Sequence, residues 1–173
     1  MRERGPSIKQ PRASRPFMPG YGVLPPNQGT GLIRWSWAEE RLRESHDYWV
    51  ATVWPDLRPH VMPVWGLWDG DAFWFSSSLG ARKVRNLRAN PRCVVTTDNA
   101  RSPVIVEGVA AVVTESAHLE RFLEGTNAKY ETSYGMELMD PERNALVRVA
   151  PRWAFALRQE DFQGSPTRWV FGD

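Results

Sequence analysis

Between residues 48 and 171 the chain is a succession of short apolar runs separated by turn residues, and this rhythm limits the folds open to it more than any other feature. The runs cover residues 48–54, 60–68, 72–77, 92–97, 103–114, 143–158 and 167–171. Pro55-Asp56 ends the first run, and Asp69-Gly70-Asp71 predicts a tight hairpin between the second and third. Helical patterns interrupt the runs only three times. One starts at Ser36, where Ser36 and Glu39 predict a capping box, and runs to about His46, whose position favours the negative pole of the helix dipole. A second covers 80–89 and stops at Asn90-Pro91. A third is capped by Ser116, runs to about Lys129 and turns Leu119, Phe122 and Leu123 inward. No strand–helix–strand repeat and no G-x-G-x-x-G fingerprint is present, which excludes a doubly wound parallel sheet. A mainly β fold with short helices follows, its antiparallel strands wrapped into a closed or partly closed barrel that removes sheet edges. Pro151 predicts a bulge or bend inside the 143–158 strand.

The first 30 residues differ from the rest. Pro6, Pro11, Pro16, Pro19, Pro25 and Pro26 predict an extended arm that sustains neither helix nor sheet ladder, packed on the body near residues 21–24. The expected organisation is therefore an Arg/Pro-rich arm over 1–30 and one domain over 31–173. Net charge is +2, but the arm holds Arg2, Arg4, Lys9, Arg12 and Arg15 against Glu3 alone. The rest of the chain is net acidic, so nucleic-acid binding gains no support. The arm reads as a solvated leader or as a contact for an anionic ligand. No run of eighteen apolar residues predicts a membrane span, and the N-terminus lacks the apolar stretch of a secretory signal. The single cysteine, Cys93, sits in an apolar run that predicts an inert buried thiol, and a cytoplasmic location is expected. Nine tryptophans predict a large aromatic core or interface, with one or two available to stack on a planar ligand.

Chemistry concentrates at residues 73–91. An apolar strand ends in Ser76, Ser77 and Ser78, Gly80 opens a helix, and Arg82 and Lys83 occupy its first turn. Hydroxyls, helix N-terminal amides and two adjacent cations suit a phosphate; the residues alone equally allow a solvated basic turn. Upstream, Pro63 lies within a strand and cannot donate to a ladder, so it marks an edge, a gap or a ligand. His46, His60 and His118 have no metal-ligand spacing and read as structural or surface histidines. No nucleophile elbow or catalytic triad order is visible.

The stretch F-W-F-S-S-S-L-G-A-R-K-V-R-N-L-R-A-N-P-R resembles the phosphate-binding strand and helix of the pyridoxamine-phosphate-oxidase-like split barrels. The strand R-P-H-V-M-P-V-W, residues 58–65, resembles the one along which the flavin ring lies in that superfamily. The resemblance runs from about residue 37 to 171 and is most specific over 58–92. It implies a six-stranded antiparallel split β-barrel, and a homodimer with the cofactor at the interface. It assigns Ser76, Ser77, Arg82 and Lys83 to the cofactor phosphate and Val61, Met62, Pro63, Val64 and Trp65 to the ring. The later T-R-W, residues 167–169, resembles the branch that uses the deazaflavin coenzyme F420 and adds Trp169 to the cofactor residues. The implied activity is hydride transfer from reduced F420 to a small conjugated substrate. An FMN-dependent enzyme, or a non-catalytic split barrel binding flavin or haem, is the alternative. No catalytic side chain is identified, because hydride chemistry belongs to the coenzyme.

Overall fold

The computed structural model describes residues 10–172. Arg2, Arg4 and Lys9 of the basic arm lie outside the described residues. Nine strands form one antiparallel sheet: β1 (Arg12–Ser14), β2 (Tyr48–Val53), β3 (Pro59–Val64), β4 (Leu67–Trp68), β5 (Phe73–Ser78), β6 (Arg92–Thr97), β7 (Val104–Val113), β8 (Asn144–Ala156) and β9 (Thr167–Val170). Three α-helices accompany them: α1 (Trp35–Glu44), α2 (Arg82–Ala89) and α3 (Ser116–Tyr130). The spatial order is β1-β9-β8-β7-β6-β2-β3, and β5 joins β8 on one side and β4 on the other.

β8 explains the shape. One of its edges pairs with β7 along most of its length; the other pairs with β5 over residues 144–149 and with β9 over 153–156. The sheet thus divides on either side of Pro151, where a register shift opposite Glu107 and Gly108 forms the expected bulge. The family-implied count of six strands is not found: nine lie among the described residues. Among the described residues no ladder joins β3 to β4 or β5, so the sheet stays open there.

Strand alternation sets the core. On β2, Tyr48, Val50 and Thr52 are buried while Trp49 is exposed. Phe73 and Phe75 of β5 join the same main core with Val84 and Leu87 of α2 and Trp169 of β9. A second, smaller core lies under α3, where Trp74 meets Leu119, Phe122 and Leu123. Burying such side chains contributes roughly 1.5–3 kcal/mol each.

Four expectations need correction. The run 60–68 breaks at Trp65-Gly66, where a side chain at residue 66 would collide with the Phe73 ring and the Trp74 carbonyl. Ser36 and Glu39 form no capping box: α1 starts one residue earlier, its N-cap is Arg34, and no side chain caps it. Ser116 is the first residue of α3 and Glu115 its N-cap, again without a side-chain cap. The proline-rich arm does sustain a ladder, since β1 fits between Pro11 and Pro16 and pairs with β9. Arg15 fastens it by donating to the carbonyls of Gly164 at 2.6 Å and Pro166 at 2.7 Å. Leu24 donates to the Gln163 carbonyl at 2.9 Å, which lays residues 21–24 on the body.

Candidate functional site

β5 carries the motif serines to the edge of the core, and period-two alternation separates them. Ser77 continues the face of Phe73 and Phe75 toward the main core, whereas Ser76 follows Trp74 toward α3. Adjacent serines on a regular strand cannot both face one ligand. Ser78 is engaged in the turn, its hydroxyl accepting the Gly80 N–H at 3.3 Å. The chain then enters α2, where Val84 and Arg85 both donate to the Ala81 carbonyl. The amides of Arg82 and Lys83 therefore stand at the open end of the helix, where an anion is favoured.

Among the described residues, neither Arg82 nor Lys83 forms an ion pair. Burial pulls the Lys83 ammonium below its ordinary value. The Arg82 guanidinium is also held down, by desolvation first and then by the like charges of Arg85 and Arg58, with Asp56 opposing. Arg82 rests on the indole of Trp54, its Cζ 3.7 Å from the ring centroid. An added anion would relieve this crowding of positive charge.

α2 packs across β2 and β3, which brings the phosphate-type end beside the candidate ring strand. Among the described residues β3 pairs only with β2, so its outer edge carries no ladder there and Pro63 requires no partner on it. His60, Met62 and Val64 sit opposite the buried Thr52, Val50 and Tyr48; Val61 and Pro63 sit opposite Ala51 and Trp49 on the other face. A flat ligand on either face would meet only half of these residues. Approach along the open edge is the geometry that reaches Val61, Met62, Pro63 and Val64 together. Trp65, just beyond the strand, stacks on Tyr130 at 4.3 Å with the planes 6° apart and remains 41% exposed. Trp169 is elsewhere: it is 1% exposed, with Trp35 against it at 5.4 Å, and offers no ring face to a ligand.

Two polar residues behind the edge, Asn86 and Thr52, were not singled out from sequence. Asn86, wholly buried on α2, donates to the Thr52 hydroxyl at 3.0 Å, and that hydroxyl lies 3.4 Å from His60 Nδ1. The Asn86 side-chain oxygen has no partner. An asparagine inside a helix that otherwise buries Val84 and Leu87 was the available signal. His46 lies past the end of α1 and meets Asp47 at 2.9 Å, while His118 stacks on Trp74. Among the described residues no group of three His, Cys, Asp or Glu side chains is arranged to hold a metal. Burial pushes the Cys93 thiol up to about 12, consistent with an inert buried side chain.

A family model described as pyridoxamine 5'-phosphate oxidase matches residues 37–158. Solved structures share the fold. One is a conserved hypothetical protein from Mycobacterium tuberculosis, 23% identical with a TM-score of 0.65, covering 75% of this chain and 87% of that one. Another is an F420 reductase, 26% identical with a TM-score of 0.55, covering 65% of this chain and 91% of that one. A third is a heme storage protein from Vibrio cholerae, 19% identical with a TM-score of 0.55, covering 67% and 88%. No curated protein matches the sequence.

Proposed function

The chain belongs to the pyridoxamine 5'-phosphate oxidase family, and within it we propose an oxidoreductase that uses coenzyme F420 to reduce a small conjugated substrate. The observation that carries this reading is the nearness of two chemistries, since α2 packs on β2 and β3. Arg82 and Lys83 form a cationic end without carboxylate partners, and the free apolar edge of β3 forms a flat wall beside it. A coenzyme with a planar ring and a phosphate needs both, so the residues fit the group.

Bound there, reduced F420 supplies a hydride. Arg82, Lys83 and Ser77 hold the phosphate end, Arg82 with its plane set by Trp54. The edge of β3 from Val61 to Val64 would support the ring. The catalytic contribution of the chain is positioning, because well-oriented reactants gain several kcal/mol over free encounter. Likeness to the F420 reductase favours F420 over FMN. FMN remains the alternative coenzyme, because the cradle reads a phosphate and a flat ring that both share.

A homodimer completes the proposed site. Trp49 and Val61 are exposed next to Pro63 on the outer sheet face, an apolar surface that a second copy of the chain would cover beside the open edge. The test of the activity is oxidation of reduced F420 by a quinone. Turnover is expected in the wild type, with a loss of about 10-fold or more in Pro63→Phe, which displaces the ring, and little change in His118→Ala. Wild-type protein that binds reduced F420 yet transfers nothing to any conjugated acceptor would exclude the enzyme reading.

A further inference from the structure

The β2–β3 hairpin is folded around a tryptophan that serves two arginines. Trp54 donates its backbone N–H to the Arg58 carbonyl at 2.9 Å, and Leu57 donates to the Trp54 carbonyl at 2.9 Å. The tight return forces Leu57 to φ 69°, a left-handed conformation that leucine adopts only where its surroundings impose it, and leaves its side chain 79% exposed. The result places Arg58 against the Trp54 indole, Cζ 4.4 Å from the centroid, on the ring that also carries Arg82 at 3.7 Å. The two guanidinium carbons are therefore separated by no more than the sum of those distances. One tetrahedral anion would reach both groups, through charge-assisted contacts of about 2.8 Å, where both present nitrogens past the same edge of the indole.

Arg58 is oriented for this. Its Nε donates to Asp56 Oδ2 at 2.8 Å, and its backbone N–H to Asp56 Oδ1 at 3.3 Å. Asp56 thus holds the inner side of the guanidinium, while the two terminal nitrogens make none of these contacts. Arg82 meets the like charges of Arg85 and Arg58 against one opposing carboxylate, Asp56. Such a cluster is stable only in water or against an anion.

We propose that the hairpin tip Trp54–Arg58 is the second half of the phosphate site, with Arg58 and Arg82, both seated on Trp54, gripping the same phosphate group. Trp54 is the positioning residue and Arg58 a binding residue. The proposal rests on the assignment of the phosphate to α2, but not on which coenzyme carries it.

The test compares FMN with riboflavin, which has the same ring and polyol without the phosphate, and adds inorganic phosphate as a probe independent of any coenzyme. Arg58 is largely exposed, so Arg58→Gln should fold normally. It is expected to weaken FMN by about 10-fold or more while leaving riboflavin within about twofold. Trp54→Leu should act in the same sense, and adding it to the combined Arg58→Gln and Arg82→Ala changes should weaken FMN no further. Trp54→Phe, which keeps a ring, should restore most of the loss. Equal weakening of FMN and riboflavin, or unchanged FMN affinity in Arg58→Gln, overturns the proposal. Should the wild type bind neither FMN nor F420, thermal stabilisation by inorganic phosphate decides. A rise lost in both Arg58→Gln and Arg82→Ala supports the anion site while removing the coenzyme assignment. A rise that survives either change, or is absent in the wild type, overturns the site.

Discussion

Lys129 illustrates how a single side chain can tie elements together at a measurable cost. Its ammonium donates to the Tyr48 hydroxyl at 2.7 Å and to the Gly66 carbonyl at 3.0 Å, pinning α3 to β2 and to the break between β3 and β4. Burial pulls its pKa down to about 8, against the opposing charge of Asp47. Between about 8 and the ordinary 10.5 the unfolded chain binds the proton that the folded chain has released. Stability contributed through this group therefore rises with pH across that window. Lys129→Met should flatten the rise, seen as a smaller difference in urea midpoint between pH 7.5 and pH 9.5 than in the wild type. An identical difference in both proteins would show that Lys129 is not the titrating group. Tyr130, pushed up to about 12, works in the opposite sense only at higher pH, so the comparison stays below its range. Single residues were also where the sequence was hardest to read. Trp169 and Trp65 are indistinguishable as strand-end tryptophans, yet one fills the core and the other keeps an open face. Only the sheet order, with β9 inside the split and Trp65 beyond an edge strand, separates them.

At the scale of elements, β5 and α2 act as one unit. The strand was legible from its apolar run, and the helix from Gly80 and Asn90-Pro91. What alternation implied, and the bare motif did not, is that only Ser77 shares a face with the core. Arg82→Ala and Lys83→Ala should each weaken the bound coenzyme by roughly 1.5–3 kcal/mol, about 10- to 150-fold, the usual loss of one charge-assisted contact. Fluorescence titration measures this directly, and unchanged affinity in both variants would place the phosphate elsewhere. Trp54 and Arg58 could not be given a phosphate role from sequence, because their meaning depends on a hairpin return that carries them to a helix more than twenty residues further along. The ladder of β1 was invisible for a related reason. Proline content argues against a strand on average, but three residues between Pro11 and Pro16 suffice once Arg15 locks the neighbouring loop.

For the whole molecule, the open sheet is the feature with the widest consequence. Sequence rhythm correctly indicated antiparallel strands with short helices, and Pro151 marked the point where β8 changes partners. It could not show that β3 would end as a free edge flanked by exposed Trp49, Val61, Met62 and Trp65. A monomer would leave that edge and its apolar surroundings in water, a liability that folded proteins avoid by covering edges. Light scattering at micromolar concentration should therefore report a dimer, and Trp49→Glu should shift it toward monomer. A wild-type monomer would mean that a site completed by two chains does not form.

Whether α2 and β3 together hold a phosphorylated planar coenzyme, and whether that coenzyme is F420, is decided by equilibrium binding of F420 and of FMN to purified apo protein, followed by fluorescence. Saturable binding of F420 is expected, tighter than FMN and lost in parallel with the charges at Arg82 and Lys83. Tighter binding of FMN would move the protein to the flavin branch. Binding of neither, or a haem Soret band on the purified protein, would overturn the proposed site.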